Sequence, residues 1–313
     1  MKKILVPVDD SIHSANAVQY ILRMAPILQD TIYLLFYAQA TVSGYLKEEA
    51  QKDPQAMAKL NLLDQSNAAL GIEILNRHKE RLMAEQVPEE RIELLTQPRR
   101  EGVAWDIIYQ AWHESIDAIV MGRHGASRFR DAFIGSTTKN VIEHDTGVPI
   151  WMVDGEVRSR NILLAVDGST DSIKALDYLC DMLRPDPDAL LTVFHVQPSL
   201  RDCCGIETAE TQRLADDETI MKVVEKANRQ CVDRFMEHAL RRLKALDIEP
   251  DRLTIKTRPS KVSIAKEIIE EFENGIYGTL VVGKRGVGGG HFMGSVSNHM
   301  VTHLQKGALW IVP

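Results

Sequence analysis

The stretch Ala118-Ile-Val-Met-Gly-Arg-His-Gly-Ala-Ser-Arg-Phe-Arg-Asp-Ala-Phe-Ile-Gly-Ser-Thr137, continuing through Thr138 to His144, decides the fold. Ala118 to Met121 is a short apolar run of the kind that forms a buried strand. Thr138 to His144 reads as a helix that starts near Ser136 or Thr137. Between them lies a glycine turn spaced Gly122-x2-Gly125-x9-Gly135-Ser136. Strand, glycine turn and helix N-terminus in that order make an anion site. Glycine lets the backbone fold tightly and approach a ligand, and the first helical N–H groups have no internal partner. A glycine pair alone does no more than make a turn, so the rest of the chain has to decide.

Working outward, Ile4 to Val8 is a strand that ends at Asp9-Asp10-Ser11, and Ser11 to Ala25 carries a helical stripe of Ala15, Val18, Ile21 and Leu22. Thr31 to Ala38 and Ile92 to Thr96 are further strands. Helical patterns run from about Met57 to Glu85 and from Val103 to Ser115, and Val148 to Val153 is a fifth strand. Alternating apolar strands and helices predict a parallel sheet covered on both faces. After a charged linker, Asp154 to Arg160, the pattern begins again. Ile162 to Ser169 repeats Ile4 to Ser11, 158 positions on, and Leu280 to Gly286 repeats Ile119 to Gly125, 161 positions on. Trp310-Ile311-Val312 repeats Trp151-Met152-Val153, 159 positions on. Near-constant offsets mean one fold present twice. The expectation is α/β, two tandem Rossmann-like sandwich domains, 1–154 and 155–313, each with a five-stranded parallel sheet.

These blocks resemble the universal stress protein family in its tandem two-domain form, over essentially the whole chain. Ile4 to Asp9, Val120 to Gly125, Gly135-Ser136 and Val148-Pro149-Ile150 carry the resemblance. The glycine spacing is that of the family's ATP-binding branch. The resemblance therefore implies ATP as bound ligand, with Mg or Mn accompanying it. It implies an adenine pocket lined by Pro7, Val8 and Tyr37, with Met121 and Gly122 meeting the ligand through backbone atoms. Asp9, at the end of the first strand, can accept from ribose hydroxyls or the adenine amino group, or else form a turn with its own backbone. Arg123, Gly125, Gly135, Ser136 and Thr137 would hold phosphates. Arg123, His124, Arg128 and Arg130 crowd the loop, either toward phosphates or as a solvated face. A weaker second site would use Val166, Asp167, Val196, Gly283, Gly286, Gly294 and Ser295. There the glycine loop has seven residues, Val287 to Met293, where the first has nine. Weaker or absent ATP binding is expected in that copy.

Composition narrows the class. With 313 residues, 44% hydrophobic and 26% charged, the chain suits two globular domains, and a net charge of −7 argues against nucleic-acid or anionic-membrane binding. No N-terminal signal segment and no membrane span is read, which together predict a cytoplasmic protein. Cys180, Cys203, Cys204 and Cys231 lack zinc-type spacing, and His299 with His303 lacks a third ligand. No P-loop, nucleophile elbow or zinc-protease helix is present. The reading is a nucleotide-binding stress-response regulator that shifts shape or partners, with weak hydrolysis at most. A slow ATPase or phosphotransferase and a nucleotide-free interaction scaffold stay open. The fifth strands, apolar and uncharged, predict pairing of the two domains as an intramolecular pseudo-dimer, with homodimerisation and an unidentified protein partner also open.

Overall fold

Ile4, Leu5 and Val6 are fully buried, as a strand flanked on both sides requires. They lie in β1 (Lys2–Pro7), which pairs in parallel with β2 (Thr31–Gln39) and with β4 (Ala118–Gly122). The computed structural model describes residues 1–28, 30–125, 134–144, 146–184, 189–200, 202, 213–214, 217–245, 253–286 and 293–313. The chain divides into two units. One is Met1–Leu22, Asp30–Val148 and Met152–Asp154, and the other is Arg23–Gln29, Pro149–Trp151 and Gly155–Pro313.

Strands β3 (Ile92–Pro98) and β5 (Ile150–Asp154) complete the strand order β3-β2-β1-β4-β5, the first unit holding Met152–Asp154 of β5. Strand order therefore reverses about β1, and the carboxyl ends of β1 and β4 border the crevice where such sheets take ligands. The helices are α1 (Ile12–Met24), α2 (Gly44–Ala50), α3 (Pro54–Ala84), α4 (Val103–His113) and α5 (Ser136–Glu143). Helix α1 buries Ala17, Val18 and Ile21, and α4 buries Ile107, Ile108 and Ala111. Asp53 caps α3 by accepting the N–H groups of Gln55 and Ala56, and Pro54 sits at its start. Only the second half of α3 is buried, through Gly71, Ile74, Leu75, His78 and Leu82.

The second unit repeats this frame. Its strands are β6 (Ile162–Val166), β7 (Leu191–Gln197), β8 (Leu253–Pro259), β9 (Thr279–Gly283) and β10 (Gly307–Val312), in the order β10-β9-β6-β7-β8. Its helices are α6 (Thr170–Met182), α7 (Glu218–Ala245), α8 (Ile264–Asn274) and α9 (Ser295–His303). The strand pairs β1–β2, β1–β4, β2–β3, β6–β7, β6–β9, β7–β8 and β9–β10 are all parallel. The expectation of strands apolar throughout fails at β8, where residues 254–257 are exposed. That strand is a sheet edge and carries Lys256 and Arg258.

Candidate functional site

The chain leaves β1 through a turn that Asp9 itself builds. Asp9 Oδ1 accepts the N–H of Ser11 at 3.0 Å, the Ser11 hydroxyl, and Ser14 Oγ–H at 2.6 Å. Ser14 Oγ in turn accepts the Asp9 N–H at 3.0 Å. This is the turn role that short acidic side chains fill. The other carboxylate oxygen faces the glycine loop, because a Cβ on Gly125 would lie 3.3 Å from Asp9 Oδ2. Turn-forming and site-lining roles thus fall on different oxygens of one residue. Beneath it, His78 of α3 is 6% exposed and donates Nε2–H to the Asp9 carbonyl at 3.3 Å. Burial pushes its pKa down, so the ring is neutral near pH 7.

Tyr37 stands level with Val8 near the end of β2. Its ring lies against α3 at Gly71, where a Cβ would come within 2.7 Å of Tyr37 Cδ1. Burial first, then the Asp9 and Asp10 carboxylates, raise its hydroxyl pKa. The phenol therefore stays protonated beside Asp9 as a hydrogen-bond donor. Pro7 is half-buried and Val8 is buried.

The three loop glycines have three different reasons. A Cβ on Gly122 would lie 2.8 Å from His13 Cβ and 2.9 Å from the His13 carbonyl, so this glycine lets the first turn of α1 press against β4. Its own carbonyl accepts the buried Thr138 hydroxyl at 2.8 Å, and Met121 is buried. Gly125 faces Asp9. Gly135 closes the loop at its base by donating its N–H to the Arg123 carbonyl at 2.9 Å. A Cβ there would press on His124 Cα and the Gly125 nitrogen, at 3.2 and 3.4 Å. Gly135 is also the N-cap of α5 and supplies no side-chain cap, so the first-turn N–H groups, those of Ser136 and Thr137 among them, have no capping side chain. Ser136 is exposed and Thr137 half-buried.

The basic residues divide. Arg123 is 5% exposed and pairs through Nη1 with Asp154 Oδ2 at 3.3 Å, while its N–H donates to Val153. It is a buried tie between β4 and β5, not a solvated loop residue. The His124 and His13 rings lie 5.0 Å apart. Arg128 and Arg130 lie outside the described residues.

The second unit reproduces the frame position by position. Asp167 Oδ1 accepts the Ser169 N–H at 2.9 Å, Ser297 Oγ–H donates to the Gly283 carbonyl at 2.7 Å, and Gly294 N–H donates to the Lys284 carbonyl at 2.9 Å. Gly294 caps α9 as Gly135 caps α5, and Ser295 is exposed as Ser136 is. A Cβ on Gly286 would meet Asp167 Oδ2 at 2.7 Å. The two loop bases close alike, so the difference in loop length falls on residues outside the described ones, including Gly288 to His291. Val166 and Val196 are buried. The residue level with Tyr37 is His195, which pairs in register with Val166. Sequence pattern alone does not single out His195, His13, Ser14, His78, Thr138 or Asp171.

Among the described residues, no group of three or more His, Cys, Asp or Glu is arranged to hold a metal. His299 and His303 stack on each other at 3.9 Å on α9. Cys180 is buried, which lifts its thiol pKa to about 11, while Cys203 and Cys204 lie outside the described residues. Among those residues no helix is long and apolar enough to cross a membrane.

Residues 1–153, and again 158–313, match the profile described as Universal stress protein family. Among solved structures the chain is similar to a universal stress protein from Archaeoglobus fulgidus DSM 4304, at 17% identity and a TM-score of 0.61. That match covers 99% of this chain and 97% of the other. It is also similar to a functionally unknown protein from Pseudomonas aeruginosa PAO1, at 12% identity and a TM-score of 0.58, covering 100% and 92%. No curated protein matches the chain. With the doubled α/β frame and the family profile met twice, the chain belongs to the universal stress protein family, in tandem two-domain form.

Proposed function

We propose that the first unit binds ATP in the crevice between the carboxyl ends of β1 and β4, and that the protein acts as a nucleotide-responsive regulator. One observation carries this reading. The glycine loop is closed at its base by Gly135 N–H on Arg123, directly at the N-terminus of a helix that has no side-chain cap, with Asp9 Oδ2 facing Gly125. Backbone N–H groups and the helix dipole then face an anion, while Asp9 and the protonated Tyr37 phenol offer an acceptor and a donor to the nucleoside end. A Mg or Mn ion would accompany the phosphates of the bound ATP. A ligand at a hundred times its dissociation constant stabilises the native state by about 2.7 kcal/mol. For a unit of this size that is a melting shift on the order of 5–10 °C. Saturating ATP is expected to raise the melting temperature by this amount. No shift would leave the family fold serving as an interaction scaffold.

A further inference from the structure

At the amino ends of the strands, away from the crevices, the two units finish one corner differently. In the first, Lys3 of β1 holds its ammonium 2.8 Å from both Glu93 of β3 and Glu114, the residue that caps the end of α4. In the second, strand register and helix ends put Asn161 in the place of Lys3, Thr254 in that of Glu93 and Gly275 in that of Glu114. Asn161 turns its side chain to the backbone, accepting the Leu190 N–H at 2.9 Å and donating to the Ile276 carbonyl at 3.2 Å. With both long carboxylates replaced, the corner is an open pocket of about 240 Å³, lined by Leu190, Thr192, Thr254, Lys256 and Gly275 to Tyr277. A Cβ on Gly275 would run into the Tyr277 ring, so this glycine lets the phenol fold back over the end of α8.

Lys256 is the one charged side chain among these lining residues. An ammonium has three N–H donors. One meets Glu271 Oε1 at 2.8 Å and another Tyr277 Oη at 3.2 Å. The bond to Glu271, the largest cause, raises the pKa of Lys256, so the group is charged at neutral pH. The neighbouring acids are held by Arg258, with Glu271 Oε2 at 2.8 Å and Glu267 and Glu270 at 3.6 and 3.8 Å. Lys3 meets two carboxylates, whereas Lys256 meets one and borders a hollow. Thr192 and Thr254 bring hydroxyls that donate or accept, and Leu190 and Ile276 bring apolar surface. Sites for drug-sized ligands run to about 300–1,000 Å³, so this one suits something smaller.

We infer that this pocket binds the carboxylate of a small organic acid, which takes the third N–H of Lys256 much as Glu93 and Glu114 take those of Lys3. The carboxyl terminus of a peptide offers the same group, and the size of the pocket favours the free acid. The site is separate from both crevices and does not rest on the reading of the first as an ATP site.

The test is a chemical-shift titration of the full chain, following backbone amide signals, with sodium propionate, propionamide and sodium chloride as separate probes. Propionate is expected to give saturable shifts at Thr254, Lys256 and Gly275 to Tyr277. Propionamide should bind at least about tenfold more weakly, the usual weight of a hydrogen bond to a charged group, and chloride should leave these signals unmoved. Lys256→Met should weaken propionate at least about tenfold. Thr254→Glu, which returns the carboxylate found in the first unit, should abolish its binding. Absence of saturable propionate shifts at these residues would overturn the inference. So would equal binding of propionamide or chloride, or propionate affinity unchanged in either variant. The dipeptide alanyl-alanine separates the two sources of carboxylate. Binding at least about tenfold tighter than propionate, and lost on amidation, would overturn the small-acid reading, and equal or weaker binding supports it. Melting curves of each variant without ligand establish that it is folded.

Discussion

Three glycines that look alike in the sequence do three different things in the loop after β4. Gly122 has no room for a methyl group, since its Cβ would sit 2.8 to 2.9 Å from the side chain and backbone of His13. Backbone cannot swing aside as a flexible side chain can, so Gly122→Ala is expected to destabilise by about 1–3 kcal/mol, the usual cost of overpacking. Gly44 has nothing within 4 Å of its Cβ position, and Gly44→Ala is expected to stay within about 0.5 kcal/mol. Urea denaturation of both variants checks the pair, and equal losses would undo the packing explanation. Spacing alone could place these glycines in an anion loop. It could not show that one serves packing, one faces Asp9 and one closes the base, because those reasons come from His13, Asp9 and Arg123. Arg123 was ambiguous for the same reason, as its partner Asp154 lies 31 residues away. His195 was hidden inside the apolar run LTVFHVQ, where one polar residue does not disturb the pattern of a buried strand.

At the scale of elements, hydrophobic pattern was a good guide wherever packing decides. Strand β1, helix α1 and the strand before the loop stand within a residue or two of where periodicity places them. Helix α2 leaves no helical signal in the sequence because Gly44–Ala50 exposes Tyr45 and Leu46 and buries only Ala50. Strand β8 escaped the buried-strand pattern because as an edge it answers to charge. In the first unit Gln110 of α4 donates to Gln97 of β3 at 3.1 Å. The corresponding pair in the second unit is Glu271 of α8 with Arg258 of β8 at 2.8 Å, and Glu271 also accepts from Lys256 at 2.8 Å. The Glu271 side chain is 10% exposed. Hydrogen bonds to charged groups are worth about 1.5–3 kcal/mol each, reduced here by the partial exposure of both cations. Glu271→Ala is expected to cost about 2–3 kcal/mol in the second unit, and Gln110→Ala about 1 kcal/mol in the first. Denaturant curves should show that order, and the reverse order would mean that the ion cluster contributes little.

At the scale of the whole chain, the repeat was the most legible feature, because near-constant offsets need no knowledge of any single contact. What the repeat concealed is that two copies of one frame need not bind one ligand. Loop length marked the second copy as different, yet both loop bases close with the same 2.9 Å bond. The sharper contrast is His13 against Asp171, visible only once α1 and α6 are seen packed on the glycines that end β4 and β9. The central claim is that one crevice, in the first unit, holds ATP. Calorimetric titration of the full chain with ATP tests it most directly, run on wild type, Gly125→Val and Gly286→Val. The account predicts one ATP per wild-type chain, loss of that site in Gly125→Val, and its retention in Gly286→Val. A wild-type site that persists in Gly125→Val and disappears in Gly286→Val would contradict it.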